Sequence, residues 1–263
     1  LEPLDELDLD EVFWFHAAQR TRTVLPMEKA IYVLWRRDAD SVDAFTHRLL
    51  DDVARRTLDL GVRGLQVNVG DGAVADAMVR LVELDPPMEA VVSVWVDTLM
   101  DSVRQPIETV LAAAAAKTAG YLVTESTPLR NTTRPAPSGT RTEGFANVAF
   151  LRRPPRLTNE QWLDAWQNGH SQLAIDTQST FGYTQNIVVR ALTAGAPAID
   201  GIVEELFPLE ALTDLHAFFD AVGDDEKLAR NMTAMGESTA RFGASESIDV
   251  VPTSQYVFAS PFT

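Results

Sequence analysis

Short apolar runs and longer amphipathic segments alternate along most of this chain. Residues 65–69 alternate apolar and polar side chains, which is the pattern of a strand with one buried face. Ser41 and Gly61 bracket a helical segment, because serine favours the position before a helix and glycine the position after it. The first half therefore predicts the order β-α-β-β-α-β. Its strands are predicted at residues 29–35, 65–69, 91–96 and 121–124, and its helices at residues 41–60 and 106–116.

The second half predicts the same order after an aperiodic stretch. Residues 129–143 are rich in Thr, Arg, Pro and Gly and are predicted to form a linker. The later strands are predicted at residues 147–152, 183–190 and 201–207, with a last strand ending near Val257, and the helices at residues 158–178, 209–222 and 225–242. The last of these helices has no counterpart in the first half.

An internal repeat relates the two halves. Ser41–Phe45 corresponds to Thr158–Trp162 at an offset of 117 residues, and the offset is shorter further along because one loop differs in length. In this register only the second copy carries an acid–base pair, His170 and Glu204. The predicted division is an upstream extension or cloning remnant at residues 1–26, a first unit at 27–128 with a degenerate site, the linker at 129–143 and a second, active unit at 144–263.

The repeated order is that of the ferredoxin-like unit, an antiparallel four-stranded sheet with both helices on one face. Alternating apolar residues require the other face of each sheet to be covered, and two such sheets can cover each other. We therefore predict an α+β protein in which two ferredoxin-like units form an internal pseudo-dimer around a cavity, a common place for ligands.

Composition restricts the partners. The chain has 22 basic and 38 acidic residues, and this net charge of −16 opposes binding to nucleic acids and to anionic membranes. No apolar stretch approaches the roughly 20 residues of a spanning helix, and the acidic N-terminal segment is unlike a secretory signal. We expect a cytoplasmic protein with neither a nucleic-acid nor a membrane partner.

The helix predicted at 158–178 carries candidate chemistry. Thr158 and Gln161 have the spacing of a capping box, which would fix the start of this helix. Trp162, Trp166 and His170 follow at intervals of four residues and therefore share one face. A structural role stays open for all three, with the tryptophans as core residues and the histidine as a buried, hydrogen-bonded side chain.

Glu204 interrupts an apolar strand, where a carboxylate is costly unless it is paired or faces water. Because Glu205 points to the opposite face, only one of the two can line the cavity, and we assign that place to Glu204. In an apolar pocket its pKa would rise, and it could act as an acid or base. The neighbouring strand offers Tyr183, Gln185 and Asn186 for binding a phenol or carbonyl oxygen. An exposed edge for the glutamates and ordinary sheet roles for the others stay open.

Other kinds of site are not supported. The chain has no cysteine, and it lacks a P-loop, a dinucleotide-binding glycine motif, a nucleophile elbow and a zinc-protease motif. His47 and His216 occupy helical positions without an evident ligand partner. We therefore predict neither a metal nor a cofactor.

Three motifs follow one another in the second half: W-x-x-x-H at Trp166–His170, Y-x-Q-N at Tyr183–Asn186 and D-G-x-x-E at Asp200–Glu204. With the repeat, they resemble the EthD domain family, and this resemblance implies an intramolecular dimeric α+β barrel of the tandem-repeat type. Members of this family are associated with ether degradation in bacteria and with dehydration of fungal aromatic polyketides. Related barrels include cofactor-free monooxygenases and polyketide cyclases.

The leading hypothesis is a cofactor-independent enzyme that transfers protons on a small apolar carbonyl or phenolic compound and eliminates water. His170 would be the general base, Glu204 the acid or the group orienting it, Tyr183 and Asn186 the polar anchors, and Trp166 a wall. The alternatives are a cofactor-free monooxygenase in the same pocket and a non-catalytic protein that binds a hydrophobic metabolite. The pseudo-dimer permits a monomer, and further homo-oligomer formation stays open.

Overall fold

The structure, a computed structural model, describes residues 27–262, so the predicted extension at 1–26 lies outside the described residues. The strands are β1 Glu28–Trp35, β2 Gly64–Val69, β3 Ala90–Val96, β4 Lys117–Leu129, β5 Phe145–Leu151, β6 Gly182–Ala191, β7 Gly201–Phe207 and β8 Ile248–Ala259. Every strand expected from the sequence is present, and β4 runs further than predicted, up to the start of the predicted linker.

Five helices accompany the strands in this part of the chain. Helix α1 is continuous through Val42–His47, a π-helical Arg48–Val53 and Ala54–Asp59; α2 is Asp101–Ala114; α3 is continuous through Asn159–Leu163, a π-helical Asp164–His170 and Ser171–Thr177; α4 is Leu215–Phe218; and α5 is Asp225–Phe242. Short 3-10 turns occur at Gly72–Val74 and Leu209–Leu212. Within residues 27–262, none of the helices has both the length and the apolar character needed to cross a bilayer.

Two helices differ from the prediction. Helix α2 begins before Pro106, at Asp101, where Arg104 forms ion pairs with both Asp101 and Glu108 and so supports a turn before the proline. The helix expected at 209–222 is broken into a 3-10 turn and α4, because the carboxylate of Asp214 accepts hydrogen bonds from two backbone N–H groups and starts a new helix there.

The eight strands form one closed antiparallel barrel in the order β1-β3-β2-β8-β5-β7-β6-β4, and β4 returns to β1. The two sheets that we expected to pack face to face are joined at both edges, by β2 with β8 and by β4 with β6. Mixed α/β structure with a closed barrel is therefore the observed fold.

Alternation along the strands separates the barrel interior from two outer layers. The interior holds an apolar cluster drawn from both halves, in which Ile31, Val33 and Tyr121 meet Phe150 and Val251. Outside, α1 and α2 pack on the first half of the barrel, whereas α3 and α5 pack on the second half. A strand residue therefore faces either the interior or a helix layer, according to its parity.

Candidate active site

Helix α3 places two of the predicted site residues, Trp166 and His170, on one face together with Trp162. The capping box forms as expected, with Thr158 Oγ1 accepting from Gln161 N and Gln161 Oε1 accepting from Thr158 N. Trp162, Trp166 and His170 are 1%, 0% and 8% exposed, so this face of the helix is turned toward the barrel. His170 ends the π-helical turn, a local widening of the helix that is frequent at functional sites.

His170 is fixed by α5. Its Nδ1 lies 3.0 Å from Ser238 Oγ, and its ring packs 4.7 Å from the Phe242 ring, centroid to centroid. Burial, together with the positive charge of Arg241, lowers the pKa of His170 to about 4. The imidazole is therefore neutral at pH 7, with Nε2 left to meet a ligand.

Opposite this helix, three polar side chains form a row across the sheet. Glu205 of β7 is the register partner of Asn147 on β5 and of Tyr183 on β6. Directly opposed residues of neighbouring strands share a face, and this face is the one covered by α3 and α5. The row thus places a carboxyl, an amide and a phenol against the same helices.

Glu205 is the unusual member of this row. Among residues 27–262, no group donates a hydrogen bond to its carboxyl and no cation pairs with it. Burial raises the pKa of Glu205 from 4.5 to about 7, because the apolar surroundings disfavour the charged form. At neutral pH this carboxyl therefore exists in comparable amounts as acid and as base.

Tyr183 is held beside Glu205 in its protonated form. Burial raises the pKa of Tyr183, and the charge of Glu205 raises it further, whereas polar contacts with Trp166, Ser171 and Gln185 act in the opposite direction. Gln185 Nε2 donates to Ser171 Oγ, which in turn donates to the backbone oxygen of Trp166. Gln185 therefore links β6 to α3, and it is not among the residues that line the cavity between these helices and the sheet.

A cavity of about 300 Å³ separates α3 and α5 from the sheet. His170, Tyr183, Glu205 and Trp166 all line it. The apolar part of its wall includes Ala149, Val203, Phe218, Phe219, Met235 and Phe242. Asn147 and Gln178 also line it, and each has a buried side-chain oxygen without a hydrogen-bond partner among the described residues. The cavity thus joins apolar walls to a few polar groups, as small-molecule sites commonly do.

Glu204 and Asn186 lie on the other side of the sheet, inside the barrel. Glu204 Oε2 accepts from Gln66 Nε2 at 2.8 Å, and Glu204 Oε1 accepts from Asn68 Nδ2 at 2.8 Å and from Gln255 Nε2 at 2.7 Å. Asn186 Nδ2 donates to a backbone oxygen of β7. These side chains are separated by the sheet from the cavity that His170 lines.

The expected meeting of His170 with Glu204 is therefore not seen, and the adjacent Glu205 occupies the cavity instead. The parity of β7 explains the difference. A Cβ on Gly201 would lie 2.8 Å from Trp166 Cη2, so Gly201 faces the tryptophans, and Glu205, four residues later, faces the same way. A glycine at this position leaves room for the tryptophans of α3, so Gly201 was a signal in the sequence that its face of β7, which Glu205 shares, lies under that helix.

The described residues hold no cluster of three or more potential metal ligands. His47 is largely exposed beside Asp51, and His216 pairs with Asp225 and Asp214. These histidines lie apart from the residues that line the cavity.

A family model of the EthD domain matches residues 154–241. This segment is therefore similar to the EthD domain. The matched segment contains α3, β6, β7 and nearly all of α5, and with them His170, Tyr183 and Glu205. A comparison with curated protein sequences finds no match.

Solved structures share the fold at low sequence identity. An anthrone oxidase-like protein superposes with a TM-score of 0.57 at 9% identity, covering 89% of this chain and 94% of that protein. A variant of chlorite dismutase from Candidatus Nitrospira defluvii gives a TM-score of 0.43 at 13% identity, covering 87% of this chain and 90% of that one. The first likeness supports the barrel fold and extends over both halves of this chain.

Proposed function

We propose that this chain is an EthD-like enzyme that transfers protons on a small, largely apolar carbonyl or phenolic compound bound between α3, α5 and the barrel. The observation that carries the proposal is Glu205, a half-buried carboxyl in an apolar cavity, without a hydrogen bond from residues 27–262 and with its pKa raised to about 7. A group that exchanges protons most effectively has a pKa close to the working pH.

The other polar groups of the cavity have complementary roles. Glu205 in its ionised form takes a proton from the carbon next to the carbonyl, and the electron pair moves onto the carbonyl oxygen. The Tyr183 hydroxyl, or Nε2–H of neutral His170, stabilises this oxygen by a hydrogen bond. If the substrate carries a β-hydroxyl group, the electron pair then returns from the oxygen to form a carbon–carbon double bond as the bond to the hydroxyl breaks. The hydroxyl leaves as water with the proton returned by Glu205, which restores the carboxylate.

The proposal changes the roles expected from the sequence. Glu205 replaces Glu204 as the acid–base group, and His170, with a pKa near 4, orients and polarises the substrate instead of acting as the main base. Trp166 remains a wall of the cavity. Asn186 and Glu204 become part of the framework inside the barrel, and Gln185 becomes a link between β6 and α3.

Oxygenation is the second candidate. The same substrate anion could react with molecular oxygen without a cofactor. The fold likeness to an anthrone oxidase-like protein supports this second candidate. Water elimination releases water from the substrate, whereas oxygenation consumes dissolved oxygen. An oxygen electrode and the mass of the product therefore separate the two.

The chain is also proposed to be a tandem of two ferredoxin-like units, residues 27–128 and 144–263. In the barrel the four strands of each half follow the same order, β4-β1-β3-β2 in the first half and β8-β5-β7-β6 in the second. The π-helical turns of α1 and α3 also correspond at the repeat offset of 117 residues. Both observations support an origin by duplication.

The test uses exchange of the α-protons of 2-tetralone, a bicyclic ketone, in D₂O followed by NMR. The wild type should accelerate exchange, and the rate should rise with pH through about 7, because Glu205 must be ionised to accept a proton. Glu205→Gln should lower the enzymatic rate by about 100-fold or more, the usual contribution of an acid–base group.

Glu210→Gln is the matched control, since Glu210 is exposed and outside the cavity. Equal enzymatic rates for the Glu205 and Glu210 variants would refute the assignment. Binding of 2-tetralone without any exchange above the buffer rate would favour the third possibility, a protein that only binds a hydrophobic metabolite.

A further inference from the structure

The connection between β2 and β3 in the first half reaches across the molecule to the second half. It spans residues 70–89, twenty residues, whereas the corresponding connection between β6 and β7 spans only nine, residues 192–200. Met78 N donates to Leu212 O at 3.0 Å, and Leu81 exchanges two backbone hydrogen bonds with Val250 of β8. We call residues 76–84 the crossing segment.

The crossing segment is held by a buried carboxylate. Asp249, 1% exposed, accepts hydrogen bonds from Glu83 N at 2.7 Å and from Leu84 N at 2.9 Å through one oxygen. Its other oxygen pairs with Arg152 Nη2 at 2.7 Å. Together with the two bonds at Leu81, these contacts fix the backbone on β8 of the second half.

This attachment places side chains of the first half in the candidate active site. Val79 and Leu81 line the cavity that contains His170 and Glu205. Leu81 is also 48% exposed, so it lies where the cavity meets solvent. Its neighbour Val82 is 45% exposed and does not line the cavity.

We propose that the crossing segment determines which ligands the second half accepts, and that Leu81 limits the length of the apolar part of the ligand. The inference rests on the proposed function for its location, since it concerns the same cavity. An apolar wall selects by size because each carbon that fits gains burial and each carbon that does not fit must clash or stay in water. The first half would thus act in the site through Val79 and Leu81, although its own predicted site is degenerate.

The experiment measures binding of n-alkylbenzenes, from toluene to pentylbenzene, by calorimetry on the full chain. These probes have neither a carbonyl nor a hydroxyl group, so they report on the cavity alone. Leu81→Ala should raise the affinity ratio of pentylbenzene to toluene by about tenfold, as expected for one or two added carbons in an apolar pocket. Leu81→Trp should lower the ratio.

Val82→Ala is the matched control and should leave the ratio unchanged. The Leu81 variants should fold, because the bonds to Val250 are made by the backbone and the leucine side chain is half exposed. An unchanged ratio in both Leu81 variants overturns the inference, as does a failure of every alkylbenzene to bind the wild type. A changed affinity ratio in the Leu81 variants, together with no effect of Glu205→Gln on proton exchange, would support the role of Leu81 in ligand selection and contradict the proposed role of Glu205 in proton transfer.

Discussion

Glu205 is a residue that the fold retains at a cost in stability. Its pKa of about 7 in the native protein exceeds the usual 4.5, so the native state binds its proton more tightly than the unfolded state does. The stability that Glu205 contributes is therefore complete below about pH 4.5 and is lost as the pH rises through about 7. A buried carboxyl with this effect is expected where function, and not folding, requires it.

Glu205→Gln should consequently stabilise the protein at pH 8, by up to about 3 kcal/mol, because each unit of pKa shift corresponds to about 1.4 kcal/mol. At pH 4.5 the variant and the wild type should differ little. Urea unfolding at both pH values measures the effect, with Glu210→Gln correcting for the loss of one negative charge. A stability difference that does not depend on pH would contradict a raised pKa in the fold.

Single-residue patterns predicted part of the candidate site and missed the rest for identifiable reasons. His170, Trp166 and Tyr183 were found because a helical spacing and an aromatic strand residue are local features. The choice between Glu204 and Glu205 required the register of β7 beneath α3, which depends on the packing of Gly201 against the tryptophans. The amide partners of Glu204 come from two other strands, so no local pattern indicated them.

At the level of elements, the sequence predicted the limits of a helix correctly where its capping residues gave a strong local signal. Helix α5 has the predicted limits because Asp224 accepts a hydrogen bond from Lys227 N at its start, and Gly243, with φ of +91°, ends it in a left-handed conformation. The crossing segment has no repeating pattern. Its position depends on hydrogen bonds to β8 and to Asp249, groups more than 160 residues away in the sequence.

Asp249 gives a prediction about this segment. Asp249→Asn should lower the free energy of unfolding by about 2–4 kcal/mol, because it removes the charge from a buried ion pair and weakens the hydrogen bonds from the segment. Chemical denaturation measures the loss. Glu83→Gln is the control, since Glu83 is exposed and its carboxyl accepts a hydrogen bond from the Ser247 hydroxyl. Equal stability of the two variants would show that Asp249 does not fasten the segment.

At the scale of the whole molecule, the predicted internal pairing of two similar halves led to the correct class of fold, an α+β structure with a closed barrel. The alternation of apolar residues required a covered second face, and the barrel interior supplies this cover. Closure depends on the seams between β2 and β8 and between β4 and β6, which join strands far apart in sequence. The cavity was expected between the sheets, and Glu204 does line a cavity of about 280 Å³ there with Gln66, Thr184 and Gln255. The candidate site, with His170 and Glu205, instead lies beneath the helices.

Glu204 belongs to this largest scale, because its carboxylate gathers amide groups from β2 and β8 across one of the seams. Glu204→Ala should lower the free energy of unfolding by about 2–4 kcal/mol, since three buried amide donors lose their acceptor. A double-mutant cycle with Asn68→Ala should give a coupling of about 0.5–3 kcal/mol, as expected for residues in direct contact. The exchange rate of 2-tetralone per folded molecule should stay near that of the wild type, because the sheet separates Glu204 from the cavity. If Glu204→Ala instead kept full stability and abolished exchange, the catalytic carboxyl would lie inside the barrel, and the assignment to Glu205 would be wrong.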